Sequence, residues 1–455
     1  MAKLQVGYAS SNINPPLGLY VAGYFVPRYA RGFIDDVEVG AMVLKMGRKT
    51  IALVSVDHCG INRQITEDYF KVIKERTGLS KNSVFISSTH THTGGRMMRW
   101  EKGKNDDHPE AQYCKFVGER IADTIKMALD DLKPAKMGYI VGYAPERVAY
   151  IRRYKMKDGS VMTCPPINDP GIDYPLGTLD QRVNVLRFDR EGGETVVLVN
   201  YGLHADTINS DLISSDWPGW MRKTLDKALD GVKTIFFNGA EGDVGSTNVY
   251  VQPGDGDMND TEISFDNEMK SPGMARFVGR AIAGTVLQVY DKVQYVDVDD
   301  IAFIEKKVVI AANNPDPKDL PRAHEYKEYH EAGRDDLIPY EAMELTTVVA
   351  EAIRMCNLEN GPYSFDLYMT GVKIGPVALI GIPGEPFTDI GVGIKDTEGW
   401  DMILPCALTN GSQGYFPMQS AYDEGGYEVR SSRYKAGVAE SLIAGGKELL
   451  SELKK

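Results

Sequence analysis

The chain has 455 residues, of which 43% are hydrophobic and 25% charged, a composition typical of an ordinary globular protein. Lysine and arginine number 51 against 64 aspartates and glutamates, so the formal net charge is −13. An acidic balance of this size excludes a protein that binds the phosphate backbone of nucleic acid or docks on anionic lipid by charge alone. We expect a small molecule as the binding partner.

The first residues of the chain and its cysteines indicate the cellular compartment in which the protein is expected. No apolar run of a signal peptide follows Met1, and no stretch approaches 18 consecutive apolar residues, so we expect no transmembrane segment. The five cysteines are widely spaced and form no Cys-x-x-Cys pair, which argues against disulfides, a thiolate zinc site and a Cys–His arrangement. These features predict a cytoplasmic protein with reduced thiols.

Short apolar runs that end abruptly in polar residues predict buried strands, at 51–56, 84–88, 196–201, 235–237 and 377–382. Amphipathic spacing predicts helices at 65–77, 111–132, 217–230, 273–291 and 434–454. The charged, helix-prone stretch 315–356 is expected to be a peripheral excursion. Strands that alternate with helices indicate the α/β class. The short link between 365–374 and 376–382 favours mixed rather than purely parallel sheets.

Three histidines follow predicted strands, where the sites of open α/β sheets gather. His90 and His92 come directly after 84–88, and residues i and i+2 of an extended chain point to the same side. The pair could therefore supply two metal ligands, or one ligand and one acid/base group. His204 follows the strand 196–201.

One glutamate and a tyrosine-rich segment complete the candidates. Glu385 lies in Pro383-Gly384-Glu385-Pro386, where two prolines and a glycine stiffen the backbone around the carboxylate. Such a carboxylate suits metal ligation, or it is a first-turn helix acid favoured by the helix dipole. The segment 410–428 is rich in glycine and tyrosine, and a tyrosine hydroxyl can donate to an oxyanion.

These motifs occur together and in order: Asn14-Pro15-Pro16-Leu17-Gly18, Ser87-Ser88-Thr89-His90-Thr91-His92-Thr93-Gly94-Gly95, His204, Ser214-Ser215-Asp216, Gly242-Asp243-Val244, Pro383-Gly384-Glu385 and the tyrosine segment 415–428. Over most of its length the chain thus resembles the catalytic domain of the neutral/alkaline non-lysosomal ceramidase family. The resemblance implies an α/β fold with a core of mixed β-sheets flanked by helices. It also implies that residues 1–455 are a single catalytic domain with the helical excursion at about 315–356, without the C-terminal immunoglobulin-like domain that ceramidases carry.

The resemblance further implies one zinc ion per chain, bound by His90, His204, Glu385 and Tyr415. His92 would lie beside the metal without binding it. Tyr427 matches a tyrosine that faces the substrate carbonyl. Arg152 matches a basic residue on the substrate side, although Ile151 stands where the family has an asparagine.

The implied reaction is hydrolysis of an N-acyl amide by a zinc-activated water, with a small or lipid-like substrate. Zinc and the Tyr427 hydroxyl would hold the oxyanion, and His92 would pass a proton to the leaving group. Gly245 occupies the position of a serine that ceramidases place after Gly-Asp-Val, and Ser246 follows it. Two alternatives remain: hydrolysis of a polar substrate such as a sugar-derived ester or glycoside, and metal binding without catalysis.

Overall fold

The strands of the computed structural model, which describes residues 3–250, 262–263 and 269–455, are numbered in chain order. They are β1 (Gln5–Asn12), β2 (Gly32–Phe33), β3 (Glu38–Met46), β4 (Lys49–Val56), β5 (Val84–Ser88), β6 (Lys133–Tyr143), β7 (Tyr150–Ile151), β8 (Arg153–Met156), β9 (Val161–Thr163), β10 (Ile172–Pro175), β11 (Arg182–Arg190), β12 (Thr195–Tyr201), β13 (Leu212–Ile213), β14 (Val232–Asn238), β15 (Val244–Gly245), β16 (Glu262–Ile263), β17 (Met269–Lys270), β18 (Gln294–Val296), β19 (Ile301–Ala311), β20 (Ser364–Ile374), β21 (Val377–Gly381), β22 (Glu385–Pro386), β23 (Met402–Cys406) and β24 (Tyr415–Phe416). Each apolar run singled out in the sequence forms a strand.

The helices also follow the predicted pattern. They are α1 (Arg63–Thr77), α2 (Pro109–Asp130), α3 (Asp216–Ala228), α4 (Pro272–Val289), α5 (Leu320–Glu331), α6 (Ala342–Leu358), α7 (Thr388–Lys395), α8 (Gln419–Glu424), α9 (Tyr427–Ser431) and α10 (Val438–Leu453). None of these helices has the length and apolar character needed to cross a membrane. All five cysteines are free thiols, as expected.

Two mixed sheets form the centre of the fold. The larger has the order β14-β12-β11-β6-β1-β3-β4-β5, with β18 paired to β6, and the smaller has the order β19-β20-β21-β23. The pairs β4–β5, β12–β14 and β21–β23 are parallel, whereas β3–β4, β11–β12 and β20–β21 are antiparallel. The prediction of mixed sheets flanked by helices is therefore confirmed.

The two sheets pack face to face, with helices on the outer face of each. Phe85, Phe237 and Leu198 of the larger sheet share one apolar cluster with Leu379 and Leu404 of the smaller. Helices α1 and α2 cover one half of the larger sheet's outer face, and α3 and α4 cover the other half. Helices α7 and α10 cover the smaller sheet. Each fully buried large apolar side chain in these layers contributes about 1.5–3 kcal/mol.

The charged stretch 315–356 contains α5 and most of α6, in agreement with its predicted helical character. It is tied to the main body by Arg430 of α9, which donates to Glu344 at 2.6 Å and to Glu351 at 2.7 Å. Since α9 begins at Tyr427, the excursion lies beside the tyrosine-rich segment rather than apart from it.

The carboxyl ends of strands from both sheets meet at one place. His90 follows β5 and His204 follows β12 in the larger sheet, whereas Glu385 follows β21 in the smaller sheet. The short strands β22 and β24 pair in parallel, and Glu385 lies opposite Tyr415 in their register. The four residues named as zinc ligands are thus delivered to one region by elements distant in the sequence.

Candidate functional site

His90, His204 and Glu385 form a buried cluster that can hold a metal ion. The Oε2 atom of Glu385 lies 3.3 Å from Nε2 of His90 and 3.4 Å from Nε2 of His204. Despite these short distances, that oxygen has no hydrogen-bond donor. The three atoms face a common point without bonding to one another.

Backbone carbonyls fix which nitrogen of each imidazole faces this point. Nδ1 of His90 donates to the carbonyl oxygen of Cys59 at 2.5 Å, and Nδ1 of His204 donates to that of Glu241 at 2.8 Å. A neutral ring with its proton on Nδ1 presents the Nε2 lone pair, so two lone pairs and a carboxylate oxygen converge. Imidazole nitrogen and carboxylate oxygen are donors that zinc accepts, and such outer hydrogen bonds orient metal ligands. The residues therefore fit a zinc ion.

The protonation states agree with a cation between these groups. Burial lowers the pKa of His204 to about 3, and the Arg152 charge adds to this effect, so the ring is neutral. Burial opposes a charge on Glu385, but His90 holds the pKa of this carboxyl well below its usual range. The Glu385 carboxylate in turn raises the pKa of the buried His90 ring. A positive charge between Glu385 and His90, from a proton or from a metal ion, is therefore favoured.

Tyr415, the fourth predicted ligand, lies against this cluster. Its hydroxyl is 3.4 Å from Nε2 of His204 and accepts a hydrogen bond of 3.0 Å from Nη2 of Arg152. Burial raises the pKa of the phenol well above its ordinary value, and the Glu385 charge adds to this. All four residues are in one place, and ligation by Tyr415 stays a prediction.

His92 contacts the cluster because of a turn in the backbone and not because of the extended chain that the sequence predicted. Its Nε2 lies 3.2 Å from Nε2 of His90, so the two rings do share a site. The extended alternation assumed from the sequence is wrong, because His90 has a φ of 71° in the left-handed region. A turn after β5 brings the rings together. Burial lowers the pKa of His92 well below its usual value, and His90 lowers it further.

A buried charged network behind His92 has no counterpart in the sequence predictions. Oδ2 of Asp206 lies 3.5 Å from Nδ1 of His92 and accepts a hydrogen bond of 2.6 Å from Nζ of Lys270. The hydroxyl of Tyr24 donates to the other carboxylate oxygen. Asp206 is two positions after His204, which is a signal the sequence offered, whereas nothing local marks Lys270 or Tyr24.

The remaining predicted residues flank Tyr415. The Tyr427 ring lies 5.6 Å from the Tyr415 ring, and burial raises the pKa of its phenol, so the hydroxyl is a hydrogen-bond donor. Nε of Arg152 donates to the buried Glu428 at 2.7 Å, and its Nη2 also donates to the carbonyl oxygen of Gly242. Arg152 therefore contacts the predicted ligand Tyr415 directly.

A cavity of about 380 Å³ opens onto the cluster. Its wall includes His90, His92, Glu385, Tyr415 and Tyr427 but not Arg152. Gly245 and Ser246, which replace the family serine, do not line it either, and Gly245 pairs with Tyr150 in the short sheet β15–β7. The wall also contains polar groups from Tyr24, Gln413, Ser431 and Arg433.

The position of Cys59 shows that one prediction from the sequence was wrong. No cysteine was expected in a Cys–His arrangement, yet Sγ of Cys59 lies 3.8 Å from Nδ1 of His90 and forms a possible metal-binding group with His90 and His92. The thiol is partly exposed and lines the cavity. Cys59 is three residues beyond β4, the parallel neighbour of β5, and this pairing brings it beside His90.

Comparison with known proteins supports the fold. No protein-family model matches the sequence, and neither does any curated protein. Among solved structures, the chain is similar to neutral ceramidase from Pseudomonas aeruginosa, with a TM-score of 0.72, 16% identity, and coverage of 100% of this chain and 75% of that one. A structure described as ceramidase complexed with C2 gives a TM-score of 0.71, 17% identity, and coverage of 100% and 76%. The chain thus has the neutral ceramidase fold.

Proposed function

We propose that the protein is a zinc-dependent hydrolase that cleaves an N-acyl amide bond. His90, His204, Glu385 and Tyr415 are the proposed ligands of one zinc ion. The observation that carries the proposal is the convergence of two imidazole lone pairs and an unpartnered carboxylate oxygen in a buried site. The fold shared with neutral ceramidase supports amide hydrolysis as the reaction.

The ion would supply Lewis acidity, which lowers the pKa of water toward about 7 and polarises a carbonyl group. His92 is the proposed proton carrier. With its proton on Nδ1, which lies 3.5 Å from a carboxylate oxygen of Asp206, the neutral ring would present Nε2 to accept a proton from the attacking water. The same nitrogen then returns it to the leaving amine.

Tyr427 is the proposed oxyanion donor. Its phenol is protonated because burial raises its pKa, and the residue lines the cavity beside Tyr415. Removal of one preorganised oxyanion donor, an asparagine amide in the measured case, costs about 2.7–4 kcal/mol of transition-state stabilisation. Arg152 acts through Tyr415, whose hydroxyl accepts its hydrogen bond.

The cavity wall favours an amide or ester over a glycoside. Glycoside hydrolysis uses two carboxyl groups that flank the scissile bond. Among the described residues that line the cavity and the adjoining space around Cys59, Glu385 is the single carboxylate. The volume of about 380 Å³ also suits a small or short-chain substrate better than a long lipid.

The test combines metal analysis with a substrate panel. We expect about one zinc ion per native chain, loss of activity on chelation and recovery on adding zinc. The H90A variant should lose the metal and the activity. The matched control is H324A, because His324 is a solvent-exposed histidine on α5. Full zinc content and full activity in H90A would contradict the ligand assignment, and a zinc-loaded protein that cleaves glycosides but no N-acyl substrate would contradict the reaction.

A further inference from the structure

A second cavity of about 310 Å³ adjoins the one that holds the candidate metal site. The two share three wall residues, namely Phe25, Ser431 and Arg433. The far wall comes from α6, through Ile353, Arg354 and Leu358 among others. The helical excursion therefore builds part of a space that continues from the proposed site of hydrolysis.

The charge of this second cavity is opposite to that of the chain. Its described lining residues include two arginines and no carboxylate, although the whole protein has a net charge of −13. Phe25, Phe365 and Leu358 supply apolar surface to the same cavity. A cavity with apolar walls and a few placed charges is typical of a site for a small amphiphilic molecule.

The two guanidinium groups differ in how they are engaged. Arg354 is held in place, because its Nε donates to the carbonyl oxygen of Arg430 at 2.9 Å, its Nη1 donates to that of Asn313 at 2.7 Å, and its Nη2 forms an ion pair with Glu351 at 3.7 Å. The Arg433 side chain makes no hydrogen bond or ion pair with the described residues, and it lies over the Phe365 ring at 5.7 Å. By contrast, the nearby Arg152 and Arg430 are each paired with a glutamate.

We propose that this second cavity binds an anionic group of the substrate through Arg433. The inference rests on the proposed function, since it names the class of N-acyl compound that the hydrolase accepts. A planar guanidinium binds a carboxylate or phosphate with two parallel hydrogen bonds, and Arg433 has no glutamate or aspartate partner among the described residues. Phe25 and Phe365 line the same cavity and supply apolar contacts for the carbon atoms of the substrate.

The test compares matched substrates that differ in charge. The probes are N-octanoylglycine, the phosphate ester of N-octanoylethanolamine, and the neutral N-octanoylglycinamide. We expect native protein to prefer at least one anionic probe over the neutral one in kcat/KM, and the preferred probe identifies the anion as carboxylate or phosphate. The preference should fall roughly 10- to 100-fold in R433Q, mainly through KM, and should fall less in R433K, which keeps the positive charge but loses the two parallel hydrogen bonds.

The control variant is R334Q, which removes an exposed arginine between α5 and α6 that does not line the cavity. An equal preference for the neutral probe in native protein would overturn the inference, as would an unchanged preference in R433Q. Equilibrium dialysis of N-octanoylglycine separates this inference from the proposed function. Binding that R433Q weakens and R334Q does not supports the anion site even if no probe is hydrolysed, and equal binding by both variants rejects it.

Discussion

Nζ of Lys270 donates a 2.6 Å hydrogen bond to the carboxylate of Asp206, and both side chains are buried directly behind His92. Removal of one partner from such a pair leaves the other charge in a medium that solvates it poorly. The pair therefore couples the stability of the fold to the orientation of a proposed catalytic ring.

We expect K270M to lower the free energy of unfolding by about 3–5 kcal/mol, because it leaves the Asp206 carboxylate without its ammonium partner. Urea denaturation measures this change. The matched control is K49M, which breaks the exposed pair of Lys49 with Asp300 and should cost less than about 1 kcal/mol. Equal losses of unfolding free energy in the two variants would show that the buried Lys270–Asp206 pair is no more important for stability than the exposed one.

Gly23 is expected to be essential for the position of His92. Its φ is 105°, and a Cβ atom there would lie 2.7 Å from Cβ of His92. Gly18 also has a positive φ, of 84°, but a Cβ atom at that position would have no other atom within 4 Å. G18A should cost about 1–2 kcal/mol through backbone strain alone, whereas G23A should cost a further 1–3 kcal/mol and also lower activity. Activity that is equal in both variants would refute the contact with His92.

Asp243 should lower the free energy of unfolding as the pH rises. Burial raises the pKa of this carboxyl to about 6, although Thr388 donates two hydrogen bonds to it. Between its unfolded pKa near 3.9 and about pH 6 the folded state binds more protons than the unfolded state, so stability falls as pH rises through this window. The loss amounts to about 3 kcal/mol. D243N should remove it, and unfolding curves of the two proteins from pH 4 to 7 measure the difference.

Cys59 should make the protein sensitive to alkylation. A carboxamidomethyl group on this thiol would extend into the cavity beside His90, and iodoacetamide should reduce activity by about 100-fold, as expected when reacting groups are displaced. C59S should resist the reagent. C356S is the matched control, because Cys356 is also partly exposed but is near His324 on the excursion. Protection by C356S rather than by C59S would contradict the assignment.

Most of the fold could be predicted from the sequence because the strands are short, apolar and bounded by polar residues. The run at 51–56 and the run at 84–88 both form buried strands, and the helices begin within a few residues of their predicted starts. The order of the strands within the sheets could not be predicted. It depends on contacts between segments distant in the sequence, such as β6 with β11 and β18.

The candidate site was predictable where a residue directly follows a strand. His90, His204 and Glu385 were found in this way, and the structure brings them together. Other residues are near the site only because of the tertiary structure, and their positions in the sequence did not mark them. Lys270 lies next to a helix start and Arg433 lies in a loop, and only the tertiary structure shows that the former contacts Asp206 and the latter borders two cavities.

The meeting of strand ends from both sheets also determines when the site can exist during folding. Tyr415 and His204 contact each other across 211 positions of the chain, and Glu385 and His90 follow strands of different sheets. Contacts between such distant segments form late, because each requires a long loop to close first. We therefore expect the set of ligands to be complete only after the two sheets have docked, and uptake of a metal ion would report that step of folding.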